Sequence, residues 1–177
     1  NSFSIAANES VYFSQLSVSS AALNRVTGSS LSDILGSLSA NGIIYLINPH
    51  GIKIGPTANT EAAALIASTL NISNADFLAG RNNFFKDGLN AYILNQGNIV
   101  VRNGGYVALL SQAVENRGII LANLGTVVMA SGEKMTLALD DLNQISVVVN
   151  EGVKEAVYGP DGKRIDSAVK NSGTITA

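Results

Sequence analysis

The chain of 177 residues contains no cysteine, no tryptophan and one histidine, and only 14% of its residues are charged. Without cysteine there is no disulfide framework, no thiol nucleophile and no thiolate-bound metal. The 11 Lys and Arg residues are balanced by 13 Asp and Glu. They form no basic run, which argues against binding to nucleic acid or to an anionic membrane surface. The longest apolar run, residues 62–67, is far too short to cross a bilayer, so no membrane insertion is expected.

Neutral, turn-forming side chains are abundant instead, with 19 Asn, 19 Ser and 17 Gly beside 46% apolar residues. This apolar fraction is too high for a disordered chain. The apolar residues come in strand-length runs bounded by Asn and Gly, such as residues 43–47 and 106–110. Helical periodicity is scarce, and only residues 61–70 have a composition that favours a helix. We therefore predict an all-β protein in which residues 1–177 form one domain.

An internal repeat indicates which all-β architecture this is. The pattern Asn-x-Gly-x-Ile occurs three times, beginning at Asn95, Asn116 and Asn171. Between the first two copies the apolar positions align at a spacing of 21 residues, which becomes 20 after a shortened turn. A period near 20, with short strands and tight turns, is typical of a parallel β-helix, whose coils stack about 4.8 Å apart. A closed β-sandwich is the alternative.

The repeat also predicts where individual residue types lie. Lys53, between Ile52 and Ile54, should point outward while its two neighbours point inward. The Asn side chains of successive coils should form hydrogen-bonded ladders, and glycine should supply corners with positive φ. At this period the chain would contain roughly eight or nine coils.

One interval does not fit the period. Asn116 and Asn171 are 55 residues apart, which is too many for two coils and slightly too few for three. The Gly-Pro-Asp-Gly turn that begins at Gly159 lies between two segments of strand character. We therefore predict that residues 156–166 leave the helix as a β-hairpin and account for the surplus.

Residues that could carry chemistry are few. His50 has no second His or Cys to complete a metal site, and its Asn-Pro-His-Gly context is typical of a β-turn. Asp140 and Asp141 are adjacent, so in an extended segment they point to opposite faces. Six aromatic residues could line a groove, although core packing is the commoner use: Tyr12, Phe13, Phe77, Phe84, Phe85 and Tyr92. We predict no catalytic residue, no metal site and no cofactor.

Three stretches resemble, in order and spacing, the amino-terminal secretion domain of filamentous-haemagglutinin-like exoproteins. They are LNRVTG from Leu23, NGIIYLINPHGIKIG from Asn41 and ALIASTLNISNADFLAG from Ala64. Residues 97–132 also look similar, so the resemblance covers about residues 2–139. It implies a right-handed single-stranded parallel β-helix that serves two-partner secretion in Gram-negative bacteria. The family's earlier Asn-Pro motif and amino-terminal cap have no counterpart before Asn1, so we expect a fragment of a longer β-helix.

The resemblance further implies a partner and a site. In this family a dedicated outer-membrane β-barrel of the TpsB type recognises the domain through periplasmic POTRA domains and exports the passenger. The family's Asn-Pro-Asn-Gly-Ile motif corresponds to Asn48, Pro49, His50, Gly51 and Ile52. His50 takes the place of the second Asn. We expect this turn to be the recognition site, with Asn24 and Arg25 as a second candidate.

The expected function is therefore that of a non-enzymatic secretion and targeting domain. Its exoprotein would cross the periplasm and the outer membrane to be secreted or displayed at the cell surface. The absence of cysteine suits this route, because no periplasmic disulfide could lock a loop during transit. Each coil could template the next as the chain emerges. Two alternatives remain open: an adhesin module that binds a host glycan or protein, and, more remotely, a polysaccharide-active β-helix enzyme.

Overall fold

The computed structural model describes residues 1–140, 144–159 and 161–177. In these residues, short strands wind into a parallel β-helix of five coils, and each coil contributes one strand to each of three parallel sheets. One further strand, at residues 10–13, precedes the first coil and extends the third sheet. The predicted all-β fold and parallel β-helix are confirmed. No helix among these residues is long and apolar enough to span a membrane.

The three sheets follow one another around the helix. Sheet 1 contains β2 (Ala21–Arg25), β5 (Ile43–Ile47), β8 (Ala64–Ser68), β13 (Tyr106–Ser111) and β16 (Thr126–Ser131). Sheet 2 contains β3 (Ser32–Ile34), β6 (Ile52–Ile54), β11 (Tyr92–Asn95), β14 (Ala113–Asn116) and β19 (Val169–Asn171). Sheet 3 contains β1 (Ser10–Phe13), β4 (Ser37–Ala40), β7 (Asn59–Ala62), β12 (Asn98–Val101), β15 (Ile119–Leu121) and β20 (Thr174–Thr176).

The inward side chains of all three sheets pack inside the coils, where they form what we call the first core. Ile52 and Ile54 are buried there, whereas Lys53 between them points outward and pairs with Asp33 at 3.4 Å. The alternation predicted for this strand is confirmed. It follows from the two-residue period of side chains along a strand.

The strand register reproduces the sequence repeat. Ile99 of β12 lies opposite Ile120 of β15, and Val107 of β13 lies opposite Val127 of β16. Ile120 in turn lies opposite Ile175 of β20. Residues one repeat apart therefore occupy the same position in consecutive coils, because a shift of one residue would turn every inward side chain outward.

The predicted number of coils is wrong, since five are present rather than eight or nine. Two long segments leave the helix at the same corner, between sheet 1 and sheet 2: residues 69–91 after β8, and residues 132–168 after β16. Asn116 and Asn171 are consequently direct partners in adjacent coils. A hairpin at residues 156–166 is not enough to account for the 55-residue interval, because the second excursion is much longer.

The two excursions build a four-stranded antiparallel sheet, the cover sheet. Its strands, in spatial order, are β18 (Ile145–Glu151), β17 (Lys134–Leu139), β10 (Asn82–Phe85) and β9 (Asn71–Ile72). A short helix, α1 (Asn74–Leu78), connects β9 to β10 and begins after Ser73, whose hydroxyl accepts a hydrogen bond from the Asp76 backbone N–H. The sequence analysis did not predict this sheet or this helix.

A second core lies between sheet 1 and the cover sheet. Tyr45 of β5 contributes to it and donates its hydroxyl to Asn82 of β10 at 2.8 Å. Burial raises the pKa of the Tyr45 hydroxyl to about 12. Because both faces of sheet 1 are covered, β8 and β13 are buried at every residue. Residues 61–70, which have the composition of a helix, accordingly lie in β7 and β8 and the residues that follow.

Glycines of the repeat serve close packing rather than positive φ. Gly97, Gly118 and Gly173 occupy one position in three consecutive coils, and none of them has a positive φ. A Cβ atom built at Gly118 would lie against the carbonyl oxygen of Gly97 and 2.7 Å from the carbonyl carbon of Gln96. The predicted role of positive φ is wrong for these positions, although Gly51 and Gly104 do have it, at +114° and +72°.

The predicted asparagine ladder is present at the end of sheet 2. Asn95 Nδ2 donates to Asn116 Oδ1 at 2.7 Å, and Asn116 Nδ2 donates to Asn171 Oδ1 at 2.8 Å. Asn95 and Asn116 are fully buried. The ladder therefore satisfies buried polar groups and joins three coils.

A short antiparallel hairpin lies within the segment that was predicted to leave the helix. Tyr158 and Arg164 form an antiparallel bridge, and the Ile165 N–H donates to the Val157 carbonyl at 2.8 Å. The Gly159 N–H donates to the Lys163 carbonyl, also at 2.8 Å. Pro160 of the predicted turn lies outside the described residues.

One inward position of sheet 3 carries a hydroxyl among aliphatic neighbours. Thr60 is 1% exposed, lies between Leu38 and Ile99 in adjacent coils, and its Oγ1 has no hydrogen-bond partner. Thr60→Val should raise the free energy of unfolding by about 1–2 kcal/mol, because an unpaired buried hydroxyl carries a desolvation cost. Urea denaturation measures this. The control is Thr57→Val, which removes the donor to the Leu35 carbonyl and should lower the free energy of unfolding. If both variants lowered the free energy of unfolding, the prediction for Thr60 would be contradicted.

Candidate functional site

The predicted recognition motif forms a tight turn at the corner between sheet 1 and sheet 2. The Asn48 carbonyl accepts from the Gly51 N–H at 3.1 Å, and Asn48 Oδ1 accepts from the His50 N–H at 2.9 Å. These bonds close the β-turn that the Asn-Pro-His-Gly sequence predicts. Gly51 has a φ of +114°, which explains why glycine is suited to this position. We call residues 48–52 the corner turn.

Asn48 is fully buried and joins three coils. Its Nδ2 donates to the Ser30 carbonyl and to Ser32 Oγ, both at 3.0 Å, in the first coil. Its backbone N–H donates to the Ser68 carbonyl at 2.9 Å in the third coil. Every polar atom of its amide is used, so Asn48 positions the turn and offers no group to a partner in the folded domain.

The remaining residues of the corner turn differ in exposure. Gly51 and Ile52 are buried, and Ile52 belongs to the first core. Pro49 is half-buried and His50 is exposed. Of the five motif residues, these two present side chains at the surface.

The second predicted candidate lies at the same corner. Arg25, at the end of β2, is opposite Ile47, which immediately precedes Asn48. Its guanidinium is already occupied: Nε donates to Asn71 Oδ1 at 2.9 Å, an Nη to Asn74 Oδ1 at 2.8 Å, and the other Nη to the Ile72 carbonyl. Arg25 therefore fastens the first excursion to the first coil.

Asn24 has a weaker structural role. It is half-buried, and its Nδ2 donates to the Tyr45 carbonyl of the next coil at 3.4 Å. The structure thus brings the two predicted candidates to one corner, but it assigns positioning contacts to Asn24, Arg25 and Asn48.

Residues outside the motif complete the surface at this corner. A Cβ atom built at Gly51 would lie 3.6 Å from Leu31 Cβ, and one built at Gly88 would lie 3.8 Å from Pro49 Cβ. Leu89, next to Gly88, is 81% exposed, and Leu31 is 36% exposed. We call Leu31, Pro49, His50 and Leu89 the corner patch. Sequence reasoning missed Leu31 and Leu89, because only the fold brings them beside the turn.

A cleft lies between the outer face of sheet 2 and the hairpin of residues 157–165. Both signs of charge line it: the basic residues are Arg117, Lys163, Arg164 and Lys170, and the acidic residues are Glu115, Asp161 and Asp166. Glu115 on the cleft floor accepts from Arg117 at 2.8 Å and pairs with Lys170 at 3.1 Å. The hydrogen bond from Arg117 lowers the pKa of the Glu115 carboxyl below its usual value.

The six aromatic residues considered for a groove do not lie together. Phe84 is buried in the second core, Phe13 packs against the first core, and Tyr12 is exposed on sheet 3. Tyr92 lines the cleft of sheet 2, while Phe77 packs edge-to-face on Tyr45. These rings therefore belong to different parts of the domain.

The described residues contain no group of three or more His, Cys, Asp or Glu side chains placed to bind a metal ion. Asp140 Oδ1 accepts from the Gln144 N–H at 2.8 Å. Asp141, its partner in the carboxylate pair considered above, lies outside the described residues.

Comparisons with known proteins agree with this architecture. The family model described as "TPS secretion domain" matches residues 1–176. The crystal structure of the HMW1 secretion domain from Haemophilus influenzae superposes with a TM-score of 0.84 at 33% identity, covering 98% of this chain and 44% of that chain.

Curated relatives are also found in Haemophilus influenzae. A heme/hemopexin-binding protein from strain Rd is 35% identical over 172 residues, which cover 92% of this chain and 19% of that protein. Another protein of the same name is 33% identical over 96 residues, or 54% of this chain and 10% of that protein. The chain thus spans about a fifth of the length of the first relative.

Proposed function

The chain belongs to the TPS secretion domain family, and on that premise we propose that a cognate outer-membrane transporter of the TpsB type recognises it at the corner patch. The predicted role of a secretion domain of an exported protein is confirmed by this membership. The transporter's periplasmic POTRA domains would make the contact, and the protein that carries this domain would then be exported to the cell surface.

The construction of the corner supports this choice. Three coils fix Asn48 through its amide and its backbone N–H, so the half-buried Pro49 and the exposed His50 are held in one geometry. Arg25 holds the start of the excursion that carries Leu89. Rigid presentation of a small, partly apolar surface favours binding, because little conformational freedom is lost on association.

The experiment compares export of the natural protein from cells that also contain its transporter. The double variant His50→Asp and Leu89→Asp should reduce the secreted amount at least about tenfold, while the free energy of unfolding changes by less than about 0.5 kcal/mol per exposed site. The control is Leu16→Asp with Leu124→Asp, two exposed leucines at the corner between sheet 3 and sheet 1. Equal export of the two variants would contradict the proposal.

Asn48→Ala separates positioning from contact. It should lower export together with the free energy of unfolding, because it leaves buried groups of the first coil without partners. Binding of the purified domain to the transporter's periplasmic region should then be weakened less at 10 °C than at 37 °C. Temperature-independent weakening would indicate that Asn48 contacts the transporter itself.

Direct binding of a host glycan is the second candidate function. The cleft between sheet 2 and the hairpin favours it, because Arg117, Lys163, Arg164 and Lys170 can donate to carboxylate or hydroxyl groups. Saturable binding of the purified domain to a glycan array, lost in Lys163→Ala with Arg164→Ala, would support adhesion. If binding to the array did not saturate, glycan binding would be contradicted and the secretion role would be the one that remains.

A further inference from the structure

The cover sheet is assembled from two segments that are far apart in the sequence. Its first half consists of β9, α1 and β10, and its second half consists of β17 and β18. Six strands of the helix, β11 to β16, lie between the two halves in the sequence. The halves are joined where β10 pairs with β17, from Asn82 opposite Leu137 to Phe85 opposite Lys134.

The first half has little support of its own. Apart from β17, the strand β10 pairs only with the two residues of β9. An isolated two-stranded ribbon is at best marginally stable in water. The contact with β17 is reinforced beyond the strand, because the Lys86 N–H donates to the Glu133 carbonyl at 2.7 Å and the two side chains form an ion pair at 3.2 Å.

The second core needs both halves as well. Phe84 of the first half and Met135 and Leu137 of the second half are all buried against sheet 1. On the sheet 1 side, Ile66 and Ala108 are fully buried by this cover. Removal of either half would expose a continuous apolar surface on sheet 1.

The first core does not depend on the cover sheet. Its buried members come from the coils and from Ile5, and none lies in the cover sheet. Neighbouring coils also pair with one another through sheets 2 and 3, whose strands do not contact the cover sheet by hydrogen bonds. The stack of coils is thus held together independently of the second core.

The segments on either side of β10 contain glycines in the left-handed region. Gly80 and Gly88 flank the strand, and both have positive φ, +67° and +128°. No atom outside the immediate chain neighbours lies within 4 Å of a Cβ built at Gly80. Arg25 fastens β9 and α1 to the first coil, so the amino-terminal end of the first half is anchored independently of β17 and β18.

We propose that the cover sheet is a latch: its two halves close on each other and on sheet 1 in one step, and part again without unstacking the coils. The closed latch completes the second core; the open latch exposes the outer apolar face of sheet 1. When the amino-terminal part of the chain is free to fold first, the first core can form coil by coil. The second core can form only after β17 and β18 have also become free to fold.

Native-state hydrogen exchange tests whether the halves act together. In the unmodified protein, the amides of β10 and β17 should exchange with one common opening free energy, lower than that of β7 and β12. Different opening free energies for β10 and β17 would overturn the proposal.

A cross-link tests whether opening separates the halves, and the absence of cysteine makes it simple to introduce. Asn83 and Thr136 are direct partners across β10 and β17. When Asn83→Cys with Thr136→Cys is oxidised, protection of β10 and β17 amides should rise at least about tenfold. The control, Thr136→Cys with Val148→Cys, joins direct partners within the second half. This control cross-link should change the protection of β10 amides less than about twofold. If the two cross-links raised the protection of β10 amides equally, the proposal would be overturned.

A substitution should hold the latch open in the full chain. Leu137→Asp places a charge in the second core, so β10 amides should lose at least about tenfold protection while β7 and β12 amides keep theirs. The control Leu139→Asp lies two residues along the same strand but is exposed. If β10 keeps its protection, or if β7 and β12 lose theirs as well, no separable latch exists.

Discussion

Gly118→Ala should strongly destabilise this domain. A Cβ atom at Gly118 would lie against the carbonyl oxygen of Gly97, 2.7 Å from the Gln96 carbonyl carbon and 2.8 Å from the Gly97 nitrogen. All three neighbours are backbone atoms of the preceding coil, which other strands of that coil hold in place. The loss in the free energy of unfolding should exceed about 1–3 kcal/mol, which is the usual cost of overpacking against side chains that can move.

Urea denaturation of Gly118→Ala beside Gly152→Ala measures this effect. Gly152 has no atom within 4 Å of a Cβ built on it and does not have a positive φ. Its substitution should change the free energy of unfolding by less than about 0.5 kcal/mol. A Gly118→Ala protein as stable as the Gly152→Ala protein would show that the coils can separate at little cost.

Asn116→Ala should lower the free energy of unfolding by about 3–4 kcal/mol, because it removes two buried hydrogen bonds and leaves polar atoms unpaired. The Asn95 Nδ2 group, fully buried, would lose its acceptor. The Gly118 N–H would lose the Asn116 Oδ1 acceptor at 3.2 Å. On the other side of the ladder, Asn171 Oδ1 would lose its donor.

The matched control for the ladder is Asn98→Ala. Asn98 lies in β12, one turn after Asn95, and its side chain is exposed. Its substitution should be neutral within about 0.5 kcal/mol. If thermal or urea denaturation gave the same small change for both variants, the ladder would contribute to the register of the coils but not to their stability.

Features with a local origin could be predicted from the sequence. The Asn-x-Gly-x-Ile repeat predicted the partners Ile99 and Ile120 because inward positions must stack in phase. The ladder of Asn95, Asn116 and Asn171 was predicted for the same reason. The corner turn was predicted because Asn, Pro and Gly each favour a specific position in a β-turn.

The candidate site was predicted only in outline. Its motif was recognised, but Asn48 and Arg25 proved to be positioning residues whose polar groups are occupied within the domain. Leu31 and Leu89 reach the corner patch from other segments of the chain. No local pattern marks such residues, since their proximity depends on how coils and excursions pack.

One property of the sequence does indicate that sheet 1 is covered. The sheet 1 strands β5, β8 and β13 are continuous apolar runs, whereas strands with one face in water alternate apolar and polar residues. The continuous runs indicate burial on both faces. They do not indicate which segment covers the outer face, because β10 and β17 carry no pattern that pairs them.

The residues alone thus specify the repeating unit of this protein, a coil with a period near 20 residues and with stacked apolar, asparagine and glycine positions. They do so because each coil contacts its neighbours in the same way, and a repeated environment selects repeated residues. The number of coils, the cover sheet and the corner patch follow only from the folded arrangement. Those features arise from single, long-range contacts between unlike segments, and such contacts leave no periodic trace in the chain.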